Sequence, residues 1–269
     1  MKFKSLLIPF LCIIIAVIAL YARSLIPHGS SSLTLIKPSD QPISADVITI
    51  HYHERPPYYS SGPLGVYGAC SDPAKLVFKK ADIPFRWEKT PASRQLDILK
   101  DNKSRDCLIG WFKNSEREKF AKYTHFIYQD KPTIALARAD NYNMKSGRTL
   151  EEVFQNDNLT LLRKNGYSYG PYIDTKISTL KPNQIMTNSK NIEMIKMIHS
   201  RRADYFFISE EEAVELTASS GLLKTEFNVI KFKNTPEGNK RYLLFSKRVE
   251  DKVIEKINKA IKKYVHNES

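Results

Sequence analysis

Residues 106–120 read Asp-Cys-Leu-Ile-Gly-Trp-Phe-Lys-Asn-Ser-Glu-Arg-Glu-Lys-Phe: an apolar run ends on Gly110 and, within a few residues, becomes a charged helix start carrying Arg117. A strand's carboxyl end meeting a helix's amino end leaves main-chain N–H groups unpaired and facing outward. A guanidinium one turn into the helix adds a two-pronged donor matched to a carboxylate. The chemistry this spacing suits is capture of an anion. The competing reading pairs Arg117 with a neighbouring glutamate on a solvated helix face; its place just beyond Gly110 favours the ligand.

Other side chains could share that space. Tyr58 and Tyr59 follow Pro56-Pro57 at the end of a β-rich run, where aromatics stack on ligands or simply pack a loop. Trp111 and Phe112 are either core or cleft wall. The turn Asn165-Gly166-Tyr167-Ser168-Tyr169-Gly170 offers hydroxyls, those of Tyr167 and Ser168 among them, although a glycine-flanked turn needs no ligand to explain it. His51 and His53 alternate along one strand without Cys or Glu at ligand spacing, so no metal and no other cofactor is expected. Neither a Gly-x-Ser-x-Gly elbow nor a phosphate loop occurs, and no catalytic residue is assigned. Cys70 and Cys107 are either disulfide-bonded or two small buried thiols.

These residues need a frame to hold them. Strands are expected at 47–53, 84–89 and 107–110, separated by a helix that Ser71 caps and that runs to 81, and by a second opened by Ser93. Strand alternating with helix through short links is the pattern of a parallel sheet, whose ligands sit at the strands' carboxyl ends. A second unit follows: strands at 133–138, 159–163 and 205–208, with helices starting at Thr149 in a capping-box sequence and spanning 189–200. The chain returns through 227–232 and 242–245 and closes with an amphipathic helix over 250–265. Two similar α/β lobes with two chain crossings imply a cleft between them.

The compartment is read from the amino end. Lys2 and Lys4 precede an uncharged stretch at 5–22, and Ala22-Arg23-Ser24 is a small-x-small junction, so residues 1–24 are a cleaved signal peptide or a retained anchor. Residues 25–45 are a Ser/Pro-rich linker. The remaining composition is that of a globular protein: 269 residues, 42% hydrophobic and 26% charged. A formal net charge of +13 raises the question of nucleic acid. Lysine and arginine are dispersed rather than blocked, so no nucleic-acid partner is expected.

From 46 to 264 the chain resembles the family 3 extracellular solute-binding proteins, the amino-acid-type periplasmic components of ABC transport systems. The likeness is carried by Pro56-Pro57-Tyr58, by 106–120 with Ser115-Glu116-Arg117, by the Gly166 turn, by Ala203-Asp204, and by the strand at 242–247 with its helix. Within the family it is most similar to a proteobacterial subgroup with the Ile-Gly-Trp-Phe-Lys and Glu-Arg-Glu-Lys-Phe segments. The resemblance implies the α/β type II periplasmic binding fold: lobe 1 at 46–127 plus 243–269, lobe 2 at 133–236, and a two-strand hinge at 128–132 and 237–242.

It also implies that Arg117 clamps a ligand carboxylate and that Tyr58 or Tyr59 packs on the ligand. Arg94 falls where the family lines its cleft, which would bring a second guanidinium. The pattern is broken at two places. Phe112 replaces the usual hydroxyl residue, and Ser209, with Glu210 beside it, replaces the acid that holds an ammonium group. An anion richer than a simple zwitterion, such as a dicarboxylate or short acidic peptide, fits those departures. The implied protein is a periplasmic monomer that takes an anionic or zwitterionic small molecule and serves an ABC permease or a membrane sensor. Two alternatives remain: a membrane-tethered sensory domain, or a cyclohexadienyl-dehydratase-like enzyme with Glu210 as its one candidate acid.

Overall fold

The computed structural model describes residues 46–267, so the expected export segment and the linker lie outside it. Among the described residues no helix is long and apolar enough to cross a membrane. The first half runs β1 Ile48–Tyr52, a hairpin of β2 Ser60–Gly62 and β3 Gly65–Tyr67, α1 Ser71–Lys80, β4 Phe85–Lys89, α2 Ala92–Asp101, β5 Asp106–Phe112, a single turn α3 Ser115–Glu118, and β6 Ala121–Gln129. The second half runs β7 Thr133–Arg138, α4 Leu150–Phe154, β8 Leu161–Lys164, α5 Pro171–Leu180, β9 Gln184–Thr187, α6 Asn191–His199, β10 Tyr205–Ser209, α7 Glu210–Ser219, a 3-10 turn Lys224–Glu226 and β11 Phe227–Ile230. The chain then crosses back to β12 Lys240–Ser246 and ends in α8 Asp251–Tyr264.

Two five-stranded sheets result, ordered β4-β1-β5-β12-β6 and β11-β7-β10-β8-β9. Each carries helices on both faces, and strand alternation decides which residue meets which layer. On β7, Ile134 and Leu136 join Phe206 and Ile208 of β10 under α6 and α7, whereas Ala135 and Ala137 join Tyr205 and Phe207 under α4 and α5. On β5, Cys107 and Ile109 pack with β1, α1 and α8, while Leu108 and Trp111 pack with Leu99 of α2 and Leu244 of β12. That odd-numbered Trp111 shares a face with Leu108 requires a bulge. The pairing with β12 skips a residue at Gly110, which has φ of +75°. A positive φ at a bulge is glycine's conformation, and it turns the last residues of β5 toward the gap between the sheets.

The chain passes between the sheets at 130–132 and again at 231–239. Residues 240–242, expected in the second crossing, are already paired in β12. Ser71 does not cap α1: Cys70 precedes the helix, and the Ser71 hydroxyl donates to the Gly68 carbonyl. The capping box at Thr149 and Glu152 is complete, with both reciprocal hydrogen bonds made. Cys70 and Cys107 are free, buried thiols. The expected alternative of a bridge is not realised for a geometric reason. Cys70 Sγ lies beside Gly110, and Cys107 is three residues back along the same strand, roughly 10 Å away.

Candidate ligand-binding site

Arg117 sits on a helix of one turn whose amino end is closed by Asn114: its side-chain oxygen accepts the Arg117 amide at 2.9 Å. One of the main-chain donors expected to be open at this junction, the Arg117 amide, is therefore engaged. The guanidinium is the charged donor there. It is 6% exposed, lies over the Trp111 ring at 4.8 Å, and donates to the Phe112 carbonyl at 2.7 Å and to the Gly166 carbonyl at 3.4 Å. Among the described residues it has no carboxylate within ion-pair distance. Burial pulls it below the ordinary arginine range, the signature of a cation taken from water without a counterion.

The space beside it lies between the two sheets' units. Tyr59, Gly110, Trp111, Phe112, Tyr167 and Ser168 line it with Arg117, and so do His53, Arg55 and Arg241; it measures about 310 Å³ out to bulk solvent. An adjoining space of about 450 Å³ extends past Phe112 to Lys164 and Ser209. Four contacts draw the halves together over these spaces: Arg55 with Glu212, Tyr58 Oη with Ser209 Oγ, His53 with Tyr167, and Arg117 with the Gly166 carbonyl.

Two arginines here are fully paired. Arg55, in the turn after β1, reaches Glu212 of α7 with Nε at 2.8 Å and Nη2 at 2.9 Å, and its guanidinium lies between the rings of Tyr58 and Tyr167 at 5.4 and 5.2 Å. Burial alone would raise the Glu212 carboxyl; Arg55 and the Asn191 amide outweigh it and hold the group below the usual range. Arg241 of β12 forks onto Asp130 at 2.6 and 2.8 Å, gives its third donor to the Gly110 carbonyl at 3.0 Å, and stacks 3.6 Å from the Tyr58 ring centroid. Lys164 is different: it lies 4.6 Å from the Tyr167 ring with no ion pair among the described residues, and burial brings it down to about 8.

A chain of hydrogen bonds fixes the protons on the opposite wall. Trp111 Nε1–H, a donor only, gives to Gln95 Oε1 at 2.9 Å, which assigns the Gln95 amide. Gln95 Nε2 then donates to the Thr90 carbonyl and to His53 Nδ1. Neutral His53 therefore carries its proton on Nε2 and gives it to Tyr167 Oη at 3.1 Å, which leaves the tyrosine O–H to donate into the cleft. Burial, then Arg55, Lys164 and Arg241, push His53 down to about 3. Because the unfolded chain binds this proton near 6.5 and the folded one near 3, stability falls as pH drops through that window. Replacing His53 with glutamine is expected to flatten this part of the pH profile. The readout is the difference in unfolding free energy between wild type and variant from pH 7 to pH 3, which should narrow on acidification by on the order of a few kcal/mol.

The expected site residues divide. Arg117, Tyr59, Gly110, Trp111, Phe112, Tyr167 and Ser168 line one space, and Ser209 the next; Tyr58 is buried beneath them and bridges the halves. Arg94 is exposed and lines neither, because the inward residue at that turn of α2 is Gln95. Glu210 lines neither space and pairs with Lys231. Arg55, His53, Lys164, Glu212, Asp130 and Arg241 were missed. Arg241 had a signal: a charge entering an apolar run, Tyr-Leu-Leu-Phe, must find a buried partner.

No family model and no curated protein matches this sequence. Solved structures do. An ancestral arginine-binding protein bound to arginine superposes with a TM-score of 0.64 at 16% identity, covering 81% of this chain and 92% of that one. The binding protein described for glutathione import in Gram-positive bacteria via GshT and the cystine ABC importer TcyBC of Streptococcus mutans gives 0.66 at 16% identity, covering 82% and 90%. The substrate-binding protein of an amino acid ABC transporter gives 0.62 at 13%, covering 82% and 93%. At these identities the likeness is one of architecture, and it agrees with what the sequence resemblance implied. The chain has the two-lobe α/β fold of the type II periplasmic binding proteins, the fold of amino-acid ABC transporter substrate-binding proteins.

Proposed function

We propose that this protein is a solute-binding protein that closes its two lobes over a small carboxylate-bearing molecule and delivers it to an ABC-type importer outside the cytoplasm. One observation carries the reading: the buried Arg117 guanidinium faces the interlobe space with no carboxylate partner among the described residues. A desolvated cation in a groove is stabilised by whatever anion completes it, and the ligand's carboxylate would do so through two charge-assisted hydrogen bonds. Tyr59, Phe112 and Tyr167 would cover the apolar part of the ligand. Binding rather than chemistry suits the site, since the candidate acid Glu210 is paired with Lys231 and lines neither space, and a general acid must reach the reacting atom.

The test is titration calorimetry of the purified protein with small carboxylates and amino acids, repeated for Arg117→Ala. Loss of the charged hydrogen bonds should cost about 1.5–3 kcal/mol, a Kd raised about 10- to 150-fold. An unchanged Kd removes Arg117 from the site and the proposal with it.

A further inference from the structure

The charges around the cleft are unequal in a way that bears on the ligand's other end. Among the described residues Asp130 is the one carboxylate that lines these spaces, and it and the carboxylates nearby are already engaged. Glu212 is 2% exposed and accepts from Arg55 Nε, Arg55 Nη2 and the Asn191 amide. Asp130 is forked by Arg241. Asp174 accepts the Ser168 hydroxyl and the Tyr169 amide, and Glu211 accepts the Lys131 amide and the Tyr128 hydroxyl at the crossing. The cations differ in position: Arg117 and Lys164 line the spaces with no ion pair among the described residues, whereas Asp174 and Glu211, which also form none, line neither.

An ammonium group arriving with a ligand would therefore meet two cations without ion pairs and no open carboxylate. It would lose its hydration without a replacement, which is the costly case for a buried ion. The residue responsible is Arg55. Held between Tyr58 and Tyr167, its guanidinium lines both spaces while its partner Glu212 lines neither, so Arg55 stands between this carboxylate and the cleft.

Resting on the carboxylate reading above, we propose that Arg55 is a built-in counterion for Glu212 that sets specificity: the solute is a carboxylate without an ammonium group, such as an oxo, hydroxy or dicarboxylic acid anion. The neutral hydroxyl of Tyr167, whose proton is directed into the cleft by His53, would donate to an oxo or hydroxyl oxygen where an amino acid would present a competing donor.

Matched pairs that differ only at the carbon beside the carboxylate test this: 2-oxoglutarate against L-glutamate, pyruvate against L-alanine, and 4-methyl-2-oxopentanoate against L-leucine, each titrated calorimetrically into the full-length protein. The ammonium-free member should bind about tenfold tighter or more in every pair that binds, the loss expected when a charged group is left without its hydrogen-bond partner. In Arg55→Gln the freed Glu212 should shrink or reverse that ratio, and in Glu212→Gln the unpaired Arg55 should widen it. The two variants act oppositely, so damage to folding, which would lower all affinities together, cannot imitate the result. Tighter binding of the amino acids with Arg117 still required overturns the role of Arg55 and leaves the solute-binding reading standing. A ratio that neither variant moves also overturns it. Failure of every carboxylate to bind overturns both.

Discussion

Replacing Arg241 with alanine is expected to lower the stability of the fold by about 3–5 kcal/mol, the loss seen when one member of a buried ion pair is removed. Arg241 is 1% exposed, and each of its three side-chain nitrogens donates within the molecule: two to Asp130 and one to the Gly110 carbonyl. Truncation leaves the Asp130 carboxylate buried and alone, frees an acceptor at the β5 bulge, and empties the space beneath Tyr58. Burial already raises Asp130 above the ordinary carboxylate range against the pull of Arg241. Without that pull it would bind its proton more tightly still in the folded state than in the unfolded one. A carboxyl raised on folding costs stability as pH rises through the window between its unfolded and folded values. The deficit of Arg241→Ala should thus be smaller at pH 5 than at pH 8, and urea midpoints at the two values would read it. The paired replacement Arg241→Met with Asp130→Leu should recover most of the loss, because two apolar groups need no counterion. A single-variant loss below about 1 kcal/mol, the range of an exposed pair, would show that this pair is not the buried joint described.

What the sequence made legible followed from periodicity and caps. Strand β7 was expected at 133–138 and is found there, because its two faces meet two apolar layers and the whole run is hydrophobic. The Thr149 capping box states a helix start in two residues. Strand β6 escaped notice for a physical reason: its buried residues Ala121, Thr124 and Ile127 fall three apart, since the pairing with β12 shifts register twice and destroys the alternation. Helix α5 was announced only by Gly170-Pro171, a cap followed by proline at N1, inside a stretch without strong amphipathic contrast. The site divides on the same line. Arg117 was found because it sits at a strand-to-helix junction, a feature of local order. Arg55, Glu212 and Arg241 matter through partners up to 157 residues away, and no local pattern encodes a pair closed across two lobes.

Gly238→Ala tests the joint between the halves, where that long-range closure is set. The two crossings run side by side there: Asp130 donates its amide to the Asn239 carbonyl at 2.9 Å, and Gln129 Nε2 donates to the Gly238 carbonyl at 3.1 Å. A Cβ on Gly238 would stand 1.6 Å from the Asp130 carbonyl oxygen and 2.6 Å from that of Lys131, against a comfortable separation of about 3.5–4.0 Å. Both obstacles are main chain, so no side chain can swing aside, and the crossings must separate at the residue that holds Arg241. The expected loss is at or above the upper end of the about 1–3 kcal/mol typical of overpacking. Gly221 supplies the control. It has φ of +74° but open space around its Cβ position, so Gly221→Ala should cost only the left-handed backbone strain of about 1–2 kcal/mol. Because Asp130 moves with its carbonyl, Gly238→Ala should also weaken carboxylate binding, which Gly221→Ala should leave alone. Equal stability losses in the two variants, with equal ligand affinities, would mean that the crossings are not packed main chain against main chain and that the spacing of the lobes is set elsewhere.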